Sequence, residues 1–216
     1  MTTSTSAYGP LDFSRDTGVP RETLSRLSTY VELLAEWNER VNLVGPGTIP
    51  DTWHRHVLDS AQLTPLIPPQ ARAVVDLGSG AGFPGLILAI MRPDLRVHLV
   101  ESIQKKCRFL EAAIVATRAQ ATVHAARAED LKGLKADVVT ARAVAPLARL
   151  FPIAHPFFGP ATIGLFLKGR SLNDELTLAT KSWRLAATAI PSRSDPSGFV
   201  LRVTGLTPWR RSRKPS

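Results

Sequence analysis

Residues 74–90 read VVDLGSGAGFPGLILAI: an apolar run that ends at an acidic residue, a knot of glycines, and a second apolar run. A short β-branched stretch that turns through small residues into a longer apolar one predicts a buried strand, a tight loop and a helix. Inside it, Gly80-Ala81-Gly82-Phe83-Pro84-Gly85 spells G-x-G-x-x-G. Glycines there allow positive φ and let a ligand come close to the backbone. In an open α/β sheet such a turn lies outside the carboxyl end of a strand, where ligands bind.

The glycine pattern leaves the ligand open, and its neighbours narrow the choice. Pyrophosphate is bound by helix N-terminal amides, and Pro84 removes one of those donors from the first turn. Asp76 stands two residues before Gly78 at the predicted strand tip. A carboxylate there would repel phosphate and attract a cationic group, such as the ammonium of S-adenosylmethionine, which carries no phosphate. Glu101 ends the next predicted strand in VHLVES, placed to accept hydrogen bonds from ribose hydroxyls. A nicotinamide cofactor would use the same device, so Glu101 does not discriminate.

Outward from this loop, strand-like runs at 73–77, 96–101, 121–125, 137–141 and 161–168 alternate with helical ones, including a helix that starts at Ser102. The alternation predicts parallel strands joined by crossover helices, an open, doubly wound α/β sheet of Rossmann-like form. A helix over 173–183 and late strands near 185–190 and 199–204 suggest an antiparallel edge. Before the sheet, the segment up to about Thr17 reads as a flexible arm rich in Ser, Thr and Gly. A helix follows from Pro20 with Leu24, Leu27, Val31, Leu34 and Trp37 on one face. A second opens with Asp51 as N-cap and turns Val57, Leu58 and Ala61 inward. The division expected is an N-terminal arm and helical cap (1–70), a ligand-binding core (71–208) and a basic tail (209–216).

Composition bounds the setting. The 216 residues carry 44% hydrophobic and 21% charged side chains, ordinary for a folded domain, with a formal charge of +9. An excess of Lys and Arg attracts polyanions and points to nucleic acid as a partner. Cys107 is the only cysteine, so no intrachain disulfide forms, and the leader lacks the apolar core of a secretory signal; both suit a cytoplasmic setting. Residues 150–167 lack Asp, Glu, Lys and Arg, but Pro152, Pro156, Gly159, Pro160 and Gly164 break the helix that a membrane span requires, so they read as helix, turn and buried strand.

Asp76 through Gly82 resembles motif I of the Rossmann-like S-adenosylmethionine-dependent methyltransferases. A closer resemblance runs through most of the chain, to the bacterial small-subunit ribosomal RNA guanine-N7 methyltransferases, also called glucose-inhibited division protein B. It is carried by Trp37-Asn38, Asn42-Leu43, 55–60 (RHVLDS), 78–85, Glu101-Ser102, Lys105-Lys106, Phe109-Leu110, 127–129 (RAE), Arg142-Ala143 and 167–169 (LKG). The segment between Glu129 and Asp137 is short, and the end beyond Gly169 fits loosely. The resemblance implies a seven-stranded methyltransferase core acting on N7 of a guanine in 16S rRNA or the small ribosomal subunit. It also implies S-adenosylmethionine contacts at Gly78, Phe83, Ala128, Glu129 and Arg142, beside the loop positions Asp76, Gly80, Gly82 and Glu101.

Guanine N7 carries a lone pair and no proton, so methylation there needs placement rather than a general base. Basic side chains at strand ends are therefore the candidates. Arg127, Arg142 and Lys168 follow the third, fourth and fifth strands and should orient base and phosphate, with Arg142 bridging cofactor and substrate; each could instead be a salt-bridge partner. Lys105, Lys106 and Arg108 open the helix after Glu101 as a solvated face or a phosphate patch, and the resemblance favours RNA for Lys105. Cys107 reads as a packing residue, since a covalent adduct serves no purpose at a lone-pair nitrogen. His54, His56 and Asp59 lack a convincing third metal ligand. Arg55, His56 and Asp59 form either a polar network that ties the cap to the sheet or contacts to RNA. Two other readings fit part of the sequence: a nicotinamide-dependent oxidoreductase, and a non-catalytic RNA-binding protein with a vestigial pocket. Neither a membrane nor an obligate protein partner is indicated.

Overall fold

A computed structural model describes residues 8–209. Its centre is a seven-stranded sheet in the order β3-β2-β1-β4-β5-β7-β6. The strands are β1 (Ala73–Leu77), β2 (Arg96–Val100), β3 (Ala121–His124), β4 (Ala136–Arg142), β5 (Phe158–Lys168), β6 (Trp183–Pro191) and β7 (Phe199–Pro208). β1 to β5 run parallel, and β7 lies antiparallel between β5 and the edge strand β6. The chain builds outward from β1 to β3, then returns to lay β4 on the other side of β1. That reversal opens a crevice between the carboxyl ends of β1 and β4.

The strands form where β-branched residues can be buried on both faces: Val74, Val75 and Asp76 through Leu77 are all buried. Helices α4 (Gly85–Met91) and α5 (Gln104–Thr117) cover one face, and α6 (Leu147–Ala154) and α7 (Leu172–Ala179) belong to the core of the other. Helix α2 (Arg21–Asn38) buries Leu27, Tyr30 and Leu34, spaced three and four residues apart, on the α4–α5 side. The cap thus shares one hydrophobic core with the sheet. Residues 150–167 split between α6, a 3-10 turn and β5, and no described helix is long and apolar enough to cross a membrane.

Three local expectations are corrected. The supposed arm contains helix α1 (Pro10–Thr17), which buries Phe13 against Trp53 with ring centroids 5.4 Å apart. Its punctuation outweighs its Ser and Thr content: Pro10 opens the helix, the Asp12 carboxylate accepts the Gly9 N–H, and Gly18 closes it in the left-handed conformation. Asp51 is not an N-cap; it ends a 3-10 turn (Pro46–Asp51), and a π-helical segment (Trp53–Leu58) leads into the short α3 (Asp59–Ala61). Helix α7 stops at Ala179, and Trp183 starts β6. Residues 1–7, and the tail after Trp209, lie outside the described residues.

Candidate active site

The glycine loop is held from beneath. Asp76 is fully buried; its Oδ1 accepts the Thr140 hydroxyl of β4 at 2.7 Å, and its Oδ2 accepts the Gly85 N–H at 3.2 Å. Burial pushes the Asp76 carboxyl up to about 6, against the opposing pull of these hydrogen bonds. This corrects the sequence reading: the carboxylate braces the loop and lines neither hollow described below, so it does not face a ligand directly. It also caps the first amide of α4, which follows Pro84, and so occupies the donor that a pyrophosphate would need.

Above Asp76 the backbone is open. Gly78, Gly80 and Gly82 have φ of 66°, 58° and 98°, a region that costs side-chain-bearing residues about 1–2 kcal/mol. Ser79 donates its N–H to Val100 O at 3.0 Å, which ties the loop to β2. Glu101, at the end of β2, accepts the Gly80 N–H on Oε2 at 2.9 Å and the Ile103 N–H on Oε1 at 2.8 Å. Glu101 is itself buried and lines neither of the two hollows described below, so it holds the loop from behind.

Arg142 ends β4 beside this loop, and its side chain is only 18% exposed. One terminal nitrogen donates to Arg55 O and to Asp59 Oδ2, both at 3.1 Å; the other donates to His56 Nδ1 at 3.0 Å. The guanidinium also lies 4.8 Å from the centre of the Phe83 ring, on which His56 stacks at 4.9 Å. A guanidinium has five N–H donors and cannot accept. His56 Nδ1 must therefore be the acceptor, and Nε2–H donates to Thr48 Oγ1 at 2.9 Å, whose own proton goes to Gly45 O. Burial, then the charges of Arg142 and Arg55, lower His56 to about 4, which keeps it neutral. Three of the five Arg142 donors are used within the protein, and two remain.

Two hollows meet at Arg142 and Ala143. The smaller, about 190 Å³, is lined by Gly78, Ser79, Gly80, Ala81, Phe83, Leu43, Val44 and Lys106. The larger is an open cleft of about 750 Å³. Its walls come from the cap (His54, Arg55, Asp59), the β4–α6 loop (143–146), Arg149, the end of β5, and the β6–β7 loop (Ser192, Ser194, Asp195). Ala143 has φ 54°, an uncommon conformation for a residue with a side chain, at the junction of the two.

The other sequence candidates are placed as follows. Gly78, Gly80 and Phe83 line the smaller hollow, while Gly82 packs below it, where a Cβ would come 2.9 Å from Leu86. Arg127 and Glu129 are exposed and Ala128 half-buried on the turn after β3; none of them lines either hollow. Lys105 is exposed on α5, and it is its neighbour Lys106 that reaches the smaller hollow. Lys168 lines the cleft, but it pairs with Glu175 at 2.6 Å and donates to Ala145 O at 3.0 Å. Of its two readings, the salt-bridge partner is the one these contacts fit: Lys168 braces the β4–α6 loop from the wall of the cleft. Arg55 points no ion pair inward and remains exposed, whereas His56 and Asp59 are the polar network between cap and sheet. Cys107 is buried, donates to Glu101 O, and has its thiol pushed up by burial. Among the described residues no group of three or more His, Cys, Asp or Glu could hold a metal ion.

Sequence reasoning missed Gln62, Ser192 and Ser194, which fasten the β6–β7 loop to the cap. A serine-rich turn between two late strands carries no local mark of its partner.

The sequence profile of the family described as "GidB: rRNA small subunit methyltransferase G" matches residues 23–194. A protein named "Ribosomal RNA small subunit methyltransferase G" from Parvibaculum lavamentivorans is 56% identical over 199 residues, covering 90% of this chain and 88% of its own. A relative of the same name from Paramagnetospirillum magneticum is 53% identical, with 94% and 98% covered. Among solved structures, a TehB-like SAM-dependent methyltransferase from Corynebacterium glutamicum matches with a TM-score of 0.53 at 16% identity, covering 68% of this chain and 86% of that one. A putative O-methyltransferase from Klebsiella pneumoniae matches at 0.54 and 13% identity, covering 81% and 89%. These structural likenesses establish a Rossmann-like methyltransferase fold. With the profile spanning most of the chain and relatives of more than half identity covering nearly all of it, the chain belongs to the GidB family of small-subunit rRNA methyltransferases.

Proposed function

We propose that this protein transfers a methyl group from S-adenosylmethionine to N7 of a guanine in 16S rRNA, with the donor in the smaller hollow and the base in the larger cleft. The observation that carries the reading is Arg142, which lines both hollows and has two N–H donors without a recorded protein acceptor. The smaller hollow suits the donor. The Gly85 amide behind its loop is capped against phosphate by Asp76, and Arg142 and Lys106 offer cations to a carboxylate.

When bound, S-adenosylmethionine would supply a sulfonium methyl whose carbon bonds to the N7 lone pair as the C–S electron pair leaves with sulfur. No proton has to be removed, so the protein's part is placement. Arg142 can donate to the guanine O6 beside N7, the edge that basic side chains read best. Asp59 balances the charge of Arg142, so the cationic product base does not face an uncompensated guanidinium. His56 is occupied as an acceptor from Arg142, and Cys107 is buried as a thiol; neither is free to act as base or nucleophile. Exposed Arg55 and Arg149 on the larger cleft, together with the formal charge of +9, favour a polyanionic substrate.

The test is incubation with methyl-tritiated S-adenosylmethionine and either naked 16S rRNA or small subunits, followed by mapping of the label. Label on N7 of one guanine is expected, and Arg142→Ala should lower turnover at least about 100-fold with the fold intact. Label at another atom, or none on either substrate, refutes the assignment. Calorimetry should show S-adenosylmethionine binding without NADH binding.

A further inference from the structure

The carboxylate of Asp59 touches more segments than any charge compensation for Arg142 requires. Its Oδ2 accepts from Arg142, and its Oδ1 accepts from Ser194 Oγ at 2.7 Å and from Gln62 Nε2 at 2.9 Å. Gln62 in turn accepts the Arg193 N–H on Oε1 at 2.9 Å and reaches Ser192 Oγ at 3.2 Å. One carboxylate thus joins the cap, the loop between β6 and β7, and the guanidinium at the junction of the two hollows. Ser192 and Ser194 both line the larger cleft.

We propose that Asp59 is a positioning residue that acts through Arg142, held in the rotamer that does so by Ser194 and Gln62 of the clasp on the β6–β7 loop. The physical reason lies in the shielding of the pair, whose side chains are 18% and 17% exposed. A guanidinium so withdrawn from water and stripped of its carboxylate keeps its charge and gains by swinging outward. In Asp59→Asn the amide nitrogen must face either Arg142 or Gln62 Nε2, a donor against a donor in both cases. The network is local to this site, so its loss moves the two unused donors of Arg142 without emptying the hydrophobic core.

The inference rests on the reading of the smaller hollow as the donor site, and its test separates the two. Full-length wild type, Asp59→Asn, Arg142→Ala and the double variant are compared by calorimetry with S-adenosylmethionine and by single-turnover transfer to 16S rRNA. Asp59→Asn should weaken donor binding and slow transfer about tenfold, yet change both less than about twofold on the Arg142→Ala background, since residues in one network are not additive. Ser194→Ala should weaken donor binding about threefold, an effect absent once Asp59 is Asn. The melting temperature and the calorimetric stoichiometry of donor binding should stay at the wild-type values, which a general loss of folding would not spare. Equal losses from Asp59→Asn on both backgrounds, or no loss on the wild-type background, overturn the proposal. Should Asp59→Asn fail to fold, Ser194→Ala decides alone, and unchanged donor affinity then refutes the clasp. Wild type that binds the donor but labels no rRNA refutes the proposed function and leaves the binding cycle to judge Asp59.

Discussion

Gly85→Ala tests the packing of the loop, because helix propensity and tertiary contact pull in opposite directions there. Gly85 is the first residue of α4. In a helix, alanine is favoured over glycine by about 1 kcal/mol. Yet a Cβ at this position would lie 2.6 Å from Asp76 Cβ, 2.6 Å from Leu99 Cδ2 and 2.7 Å from Asp76 Oδ2. None of these atoms has room to retreat, since Asp76 and Leu99 are fully buried on β1 and β2. Overpacking a core by one methyl costs roughly 1–3 kcal/mol. Displacing Asp76 also breaks the hydrogen bond from the Gly85 N–H to a charged acceptor, on the order of 1.5–3 kcal/mol. Contact therefore wins, with a net loss of about 2–5 kcal/mol. For a chain of this size the melting temperature should drop by roughly 4–20 °C, read by calorimetry or circular dichroism. Gly47→Ala, where a Cβ meets nothing within 4 Å, is the control and should melt like the wild type. A Gly85→Ala protein that melts at or above the wild type would show that β1, β2 and α4 are not in the close contact described.

Three further outcomes are expected. Gly78→Asp places a side chain at φ 66° with its Cβ 2.8 Å from Val144; calorimetry should show S-adenosylmethionine binding weakened by roughly 100-fold or more, and unchanged affinity would contradict the site. His56, lowered to about 4 chiefly by burial and secondarily by Arg142, should titrate by NMR well below the ordinary histidine range. Its contribution to stability is complete above about 6.5 and is lost as pH falls towards the folded value. Arg142→Ala should raise it only in part, and an ordinary value in the wild type would rule out the buried network. Asp76 behaves in the opposite sense, since its carboxyl is raised from 3.8 to about 6. Its contribution is present at pH below the unfolded value and is lost as pH rises through about 6, on the order of 3 kcal/mol in all. Asp76→Asn should flatten that part of the pH dependence of unfolding; an unaltered slope would place the carboxyl in water.

The sheet was legible because its strands are runs of buried β-branched residues separated by helices of a different period. β1 matches its sequence-read span, and the later strands differ by up to a few residues at their ends. The glycine loop was legible for the same reason of locality: positive φ at Gly78, Gly80 and Gly82 is a demand each residue meets alone. Helix α1 is masked in the sequence by the Ser, Thr and Gly content of its segment, although Pro10 and Gly18 mark its two ends. The roles of charged residues were legible in position and not in partner. Arg142 and Lys168 both end strands beside the crevice, yet Lys168 is neutralised by Glu175, and Arg142 keeps free donors.

By itself the sequence determined the α/β class, the glycine loop after the first strand and the family, all of which are written in short stretches of residue type and spacing. Tertiary structure alone decided that Asp76 faces inward to Thr140, 64 positions away, that Arg142 meets Asp59 across 83, and that Gln62 meets Ser192 across 130. The reason is physical: periodicity and turn chemistry act between neighbours along the chain. Whether a charge is buried, paired or free depends instead on which distant segments the closed core brings within three ångströms or so of it.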